Sequence, residues 1–136
     1  MIEIPEEDLT LLRCICQAIF DKKGFNILTL DLRNLDVLAD YVIIAEGSAQ
    51  KHVQAIAQAI SYEMLELGQK PVYVEGKREG DWIVIDYYSI IIHLFVPEVR
   101  EKYELEQLWE DAKIVDVPIK VGVAIPDQNL RNPRMG

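Results

Sequence analysis

Gly47-Ser48, placed between an apolar run and a helix-like segment, is the pair in this chain best suited to holding an anion. Unsatisfied backbone donors and the positive end of a helix dipole attract phosphate at such a position. Nucleotidyl transfer there would also need carboxylates close by, to hold two divalent ions around the attacking and leaving oxygens. The residues that follow, Ala49, Gln50, Lys51, His52, Val53, Gln54, Ala55 and Ile56, include no acid, and the next carboxylate is Glu63. Asp86 is a candidate third carboxylate, but a single carboxylate makes no metal site. No catalytic residue is therefore expected, and Ser48 is expected to act as a helix N-cap. Asp31, Asp36 and Asp40 lack the glycine and terminal glutamate of a calcium loop, so turn formation and capping are their expected roles. Cys14 and Cys16, two apart in a helical pattern, diverge too far for a mutual disulfide and are expected as buried reduced thiols. His52 and His93 complete no zinc spacing with them, and His52 is expected to be exposed near a helix start. No serine sits in a G-x-S-x-G turn. Neither cofactor nor metal is expected.

The remaining chemistry-bearing residue types suit binding. In the stretch Asp81 to Phe95, a hairpin with Tyr87-Tyr88 as its turn pairs Asp86 with Ser89 and Trp82 with His93. Trp82, Val84, Asp86, Ile91 and His93 then share one face. A tryptophan, a carboxylate and an imidazole together can form a partner-binding patch, in which aromatic anchors carry most of the energy and polar groups fix register. The alternative is a core tryptophan beside a satisfied Asp–His pair. Further on, Val99 and Tyr103 share one helical face, whereas Leu105, Leu108, Trp109 and Ala112 fall about 120–160° away at 100° per residue. One straight helix cannot bury both stripes on one sheet, so either it breaks near Glu104 or one stripe awaits a partner. With a break, Leu105, Leu108 and Trp109 close the core, and Glu104 and Glu106 stay outside as acidic contacts. The candidate contacts are Trp82, Asp86, Tyr87 and His93, then Tyr88, Glu104, Glu106 and Trp109.

The elements that must position these groups follow from hydrophobic periodicity. Pro5 with Glu6, Glu7 and Asp8 reads as the first turn of a helix, since proline loses no needed donor there and acids suit the positive dipole end. Leu9, Leu12, Cys16, Ile19 and Phe20 recur at helical spacing until Gly24. Residues 26–32 alternate as a half-buried strand, and 41–45 is a continuous apolar run fit for a central strand. Val53, Ile56, Ile60, Met64 and Leu67 mark a second helix, ended by Gly68. Residues 72–75, 82–86 and 90–96 read as three more strands, and Pro97 opens a last helix. The predicted fold class is mixed α/β, a sheet of about five strands with flanking helices.

A chain of 136 residues, half of them hydrophobic, supports one core that removes roughly two thirds of the unfolded surface from water. Residues 1–117 are read as that domain. Residues 118–136, punctuated by prolines and asparagines, are read as an extended and mobile tail. No apolar run approaches the roughly 18 residues of a membrane span and the N-terminus is acidic, so a cytoplasmic protein is expected. The net charge of −9 disfavours a protein that grips nucleic acid mainly through phosphates. It is uneven, +2 in the tail and −11 elsewhere, and the acidic body suits a basic protein surface.

Asp81 to Phe95, Tyr103 to Trp109, Asp36 to Tyr41 (D-V-L-A-D-Y) and Gly47-Ser48 together resemble the ribosomal silencing factors, the RsfS or Iojap-like family, over residues 8 to 117. The chain departs from the family's usual glycine and acid at Tyr88 and Ser89. The resemblance implies a nucleotidyltransferase-like fold without catalysis. It further implies docking on the large ribosomal subunit through its fourteenth protein, steric block of small-subunit joining, and hence repression of translation. A minor ribosomal RNA contact is compatible with this. Two alternatives stand beside it: an enzyme using Gly47-Ser48 with Asp86, or a homodimeric adaptor joined through a sheet edge or the Leu105/Trp109 stripe.

Overall fold

The computed structural model describes residues 3–121; Met1, Ile2 and residues 122–136, which carry most of the predicted tail and its charges Asp127, Arg131 and Arg134, lie outside the described residues. The elements run α1 (Glu6–Asp21), β1 (Phe25–Asp31), β2 (Tyr41–Glu46), α2 (Gln50–Glu66), β3 (Tyr73–Glu75), β4 (Trp82–Asp86), β5 (Ile90–Phe95), α3 (Pro97–Tyr103), a 3₁₀ turn (Leu105–Trp109) and β6 (Lys113–Ile114). The six strands form one mixed sheet in the order β3-β4-β5-β2-β1-β6. Its one parallel pair, β2 with β5, lies at the centre, where every residue of β2 is buried. The continuous apolar sequence of β2 suits a strand covered on both faces.

α1 and α2 pack on one face. Leu12, Ile15 and Ile19 of α1 and Val53, Ile56, Ile60 and Met64 of α2 are fully buried against Ile43, Ala45, Ile83, Ile85, Ile92 and Leu94 of the strands. The three- and four-residue spacing on the helices and the two-residue spacing on the strands bring these side chains together. The other face is covered only in part, by α3, the 3₁₀ turn and the loop after β1. There Leu30, Leu32, Val42, Ile44 and Phe95 form a second, smaller cluster.

Several expectations change. The sixth strand, β6, pairs only Ile114 with Leu30 and Lys113 with Asp31, too short a run to leave a periodic signal. α2 is capped by Ala49 in extended conformation, not by Ser48, and that cap makes no side-chain hydrogen bond. Ser48 instead donates its N–H to His52 Nδ1 at 2.8 Å, while Nε2 of His52 lies 2.7 Å from the Lys22 carbonyl. Because Nδ1 accepts, Nε2 is the nitrogen that carries the proton to that carbonyl. His52 is thus a partly buried link between the end of α1 and the start of α2, not an exposed side chain. Cys16 is buried with its Sγ 3.5 Å from Thr29 Oγ1, and burial pushes its thiol up to about 11; Cys14 is only half-buried. Past Asp116, Val117 and Ile119 pack against the core, and Lys120 exchanges two hydrogen bonds with the Gln17 side chain, so the chain stays on α1 as far as Lys120.

Candidate functional site

The β4–β5 hairpin pairs Trp82 with Phe95, Val84 with His93 and Asp86 with Ile91. The register differs by two residues from that predicted, because the turn is Tyr88-Ser89 and not Tyr87-Tyr88. A two-residue shift preserves side-chain alternation, so Trp82, Val84, Asp86, Ile91 and His93 do share the open face. Tyr88 takes the left-handed conformation (φ 79°), and the Asp86 carboxylate accepts its N–H at 2.7 Å, which closes the turn without glycine. At the far end of the hairpin Gly76, also at positive φ, lies where a Cβ would collide with the Trp82 carbonyl. Close backbone approach there seats the start of β4.

Trp82 Nε1 donates to His93 Nδ1 at 3.1 Å, so the tryptophan is paired with the histidine and not with an Asp–His couple. Trp82 also packs on Phe95 at 4.9 Å and on Tyr103 at 5.1 Å between ring centroids, while His93 lies 6.4 Å from Trp109. Burial lowers the His93 pKa to about 4, leaving the ring neutral at physiological pH.

The second wall of this face comes from the broken helix. Glu104 adopts the left-handed conformation (φ 46°) and ends α3, so the chain reverses into the 3₁₀ turn. Tyr103 can then cover Trp82 while Leu105 and Trp109 turn back onto the sheet. Arg100 holds the junction: its guanidinium reaches Glu46 at 3.1 Å, Glu106 at 3.4 Å and the Asn26 carbonyl at 2.6 Å. Between the 3₁₀ turn and the loop after β1 lies a groove of about 370 Å³, lined by Leu32, Val37, Leu38, Ala39, Val42, Ile91, His93 and Trp109. Leu38 on its lip is fully exposed at 102%.

The predicted contacts separate accordingly. His93 and Trp109 line the groove, Trp82 adjoins them through its hydrogen bond to His93, and Asp86 lies on the same face beside Ile91. Tyr88 is exposed at the hairpin tip and Glu104 at the helix break. Tyr87 does not join them: it is 7% exposed on the helix-covered side, within the larger core. Glu106 is tied to Arg100 and is not an outward acidic contact, while Leu108, expected to close the core, is 70% exposed. Val37 and Leu38, which the structure adds to this face, are not among the predicted contacts. Two adjacent large aliphatic residues in a loop bounded by Asp36 and Asp40 were the available signal.

Gly47-Ser48 and Asp86, the residues the enzyme alternative combined, are not brought together. Gly47 follows the end of β2 that pairs with Phe95, whereas Asp86 is level with Ile91 and Val42. Those positions are about five residues apart along the strands, or roughly 16 Å. Glu46, the acid next to Gly47, is 8% exposed and bound by Arg100. Among the described residues no three His, Cys, Asp or Glu side chains are grouped to hold a metal ion. A larger groove, about 710 Å³, lies on the opposite side between α2 and the β3–β4 edge, lined by Gln54, Gln58, Ser61 and Lys70 among others. None of the predicted contacts lines it.

The fold and this face define a small α/β protein with a mixed six-stranded sheet, closed by helices on one side and presenting a half-open aromatic groove on the other. The family described as "Ribosomal silencing factor during starvation" matches residues 5–134, and the chain belongs to it. It is similar to the ribosomal silencing factor RsfS of Bacillus subtilis, 35% identical over 108 residues that cover 79% of this chain and 92% of the relative. A 73-residue stretch is 41% identical to the mouse protein named for mitochondrial assembly of the ribosomal large subunit, covering 52% of this chain and 32% of that one. Among solved structures, a Chromobacterium violaceum protein superimposes with a TM-score of 0.71 at 29% identity, covering 78% of this chain and 87% of its own. A Bacillus halodurans protein does so with a TM-score of 0.70 at 30% identity, covering 79% and 97%.

Proposed function

We propose that the open face, centred on Trp82, His93, Trp109 and Leu38, docks on the large ribosomal subunit through its fourteenth protein and blocks small-subunit joining by occupying space. The observation that carries this reading is a fully exposed leucine on the lip of an apolar groove walled by aromatic side chains. Such an arrangement leaves apolar surface in water until a partner covers it. Asp86 sits beside Ile91, Asp36 and Asp40 flank the loop that carries Leu38, and Glu110 and Asp111 line a neighbouring recess beside Val37 and Trp109, on a chain of net charge −9, which favours a basic partner. The name of the mouse relative supports the large subunit as the place of docking. A patch of roughly 800 Å² per partner suffices for a specific complex, and steric exclusion needs no reacting group.

Purified large subunits, small subunits and the protein, mixed and run on a sucrose gradient, test the proposal. The expected result is separate subunits, with the protein in the large-subunit fraction. Trp82→Ala combined with Asp86→Arg should abolish that cofractionation in a protein that remains folded by circular dichroism. Normal joining of subunits at saturating protein overturns the reading, as does cofractionation of the folded double variant at wild-type levels.

A further inference from the structure

The groove is one-sided in its hydrogen bonding. Of its lining side chains only His93 and Trp109 carry polar atoms. An indole can only donate, so Trp82 Nε1 at 3.1 Å makes His93 Nδ1 an acceptor. In a neutral imidazole the other nitrogen must then hold the proton. Nε2–H of His93 is therefore a donor of fixed identity, and no described side chain or carbonyl accepts from it. Among the described residues the buried side-chain atoms without a partner are Tyr87 Oη and Glu106 Oε1; His93 Nε2 is not sealed in the core in the same way, and the His93 side chain lines the groove. Trp109, whose indole can likewise only donate, adds no acceptor.

We infer that His93 is a specificity-determining residue of the open face, whose Nε2–H receives a neutral carbonyl oxygen of the docked protein segment beside the aliphatic side chain that fills the groove. The inference rests on the proposed docking and deepens it by naming what the partner must present. A purely aliphatic partner would leave this donor desolvated and unmade, which costs more than the bond itself returns. A carboxylate is disfavoured by the acidic rim and by the cost of burying its charge among Leu32, Val42, Ile91 and Trp109. A main-chain or carboxamide carbonyl meets both conditions. Burial keeps His93 neutral, so the donor stays single and directional throughout the physiological pH range.

Two substitutions separate the nitrogens. In His93→Asn the side-chain oxygen stands near the place of Nδ1 and still accepts from Trp82, but nothing reaches the place of Nε2. In His93→Gln the longer amide returns an N–H to that place. Binding to purified large ribosomal subunits, followed by cosedimentation, should weaken about tenfold to a hundredfold for His93→Asn, and recover to within about threefold of wild type for His93→Gln. Asn binding as tightly as wild type, or Gln binding as weakly as Asn, overturns the inference while leaving the docking reading intact. Failure of the wild-type protein to sediment with large subunits overturns both. Imidazole ¹⁵N shifts of the isolated wild-type protein provide a check that needs no variant to fold: they should report His93 neutral and protonated on Nε2, and protonation on Nδ1 overturns the inference.

Discussion

The two faces of the sheet are built from the same strands and differ in what finishes them. On the helix-covered face, Ile43, Ala45, Ile83, Ile85, Ile92 and Leu94 meet the aliphatic stripes of α1 and α2 and are fully buried. On the open face, the alternate residues Trp82, Ile91 and His93 remain half-buried beneath a seven-residue helix, a 3₁₀ turn and a loop. One face is aliphatic and needs nothing more. The other carries large rings with polar handles, which gain most when a second molecule removes the remaining water. The contrast separates the residues that keep the molecule folded from those available for contact, although the two sets alternate along single strands.

The sharpest way to break this division is to damage each face and ask what fails. Ile60→Ala, at the centre of α2, should cost about 2–5 kcal/mol of stability in urea denaturation, and the folded fraction should bind large subunits normally. Loss of binding per folded molecule would show that the faces are coupled.

Acidification should act through the open face. His93 is held neutral in the folded state down to about pH 4, whereas in the unfolded chain it takes up a proton near 6.5. The unfolded state thus binds more protons between those values, so stability is complete above about pH 6.5 and declines as pH falls toward 4. The full loss is up to about 3 kcal/mol. Urea midpoints measured at pH 7 and pH 4.5 should diverge accordingly, and His93→Phe should remove this component of the difference.

Leu38→Ala tests the lip of the groove. A fully exposed leucine contributes little to folding, so stability should change by less than about 0.5 kcal/mol, while affinity for large subunits should fall by about five- to thirtyfold. An unchanged affinity would move the contact away from the loop after β1. The smallest effect is expected at the hairpin tip. Tyr88→Gly relieves a left-handed conformation at φ 79° and should raise stability by about 0.5–1 kcal/mol, read as a thermal midpoint.

Much of the fold was legible because it rests on local periodicity. The two long helices, the central apolar strand and the β4–β5 hairpin follow from spacings of three to four or of two, and of the two outcomes that the incompatible stripes around Tyr103 and Leu105 allowed, a break or an unpartnered stripe, the structure has the break, at Glu104. The site was legible only in part. Trp82, His93 and Trp109 could be proposed from residue type and parity, since a two-residue register error leaves every side chain on its own face. Tyr87 was misplaced because the predicted hairpin put it in the turn, whereas with the turn at Tyr88-Ser89 it pairs with Ile90 and follows Ile83 and Ile85 into the helix-covered core, and Glu106 because its partner Arg100 depends on where α3 lies over β1 and β2.

Sequence alone, through patterning along each segment, determined which residues are apolar, how often they recur and therefore which elements exist. Tertiary structure decided the parallel pairing of β2 with β5, the two-residue strand β6, the clamp of Arg100 on Glu46 and the Asn26 carbonyl, and the groove between Leu38 and Trp109. Each of these joins segments far apart in the chain. Their energies come from contacts made only once the sheet has closed, so no local pattern encodes them.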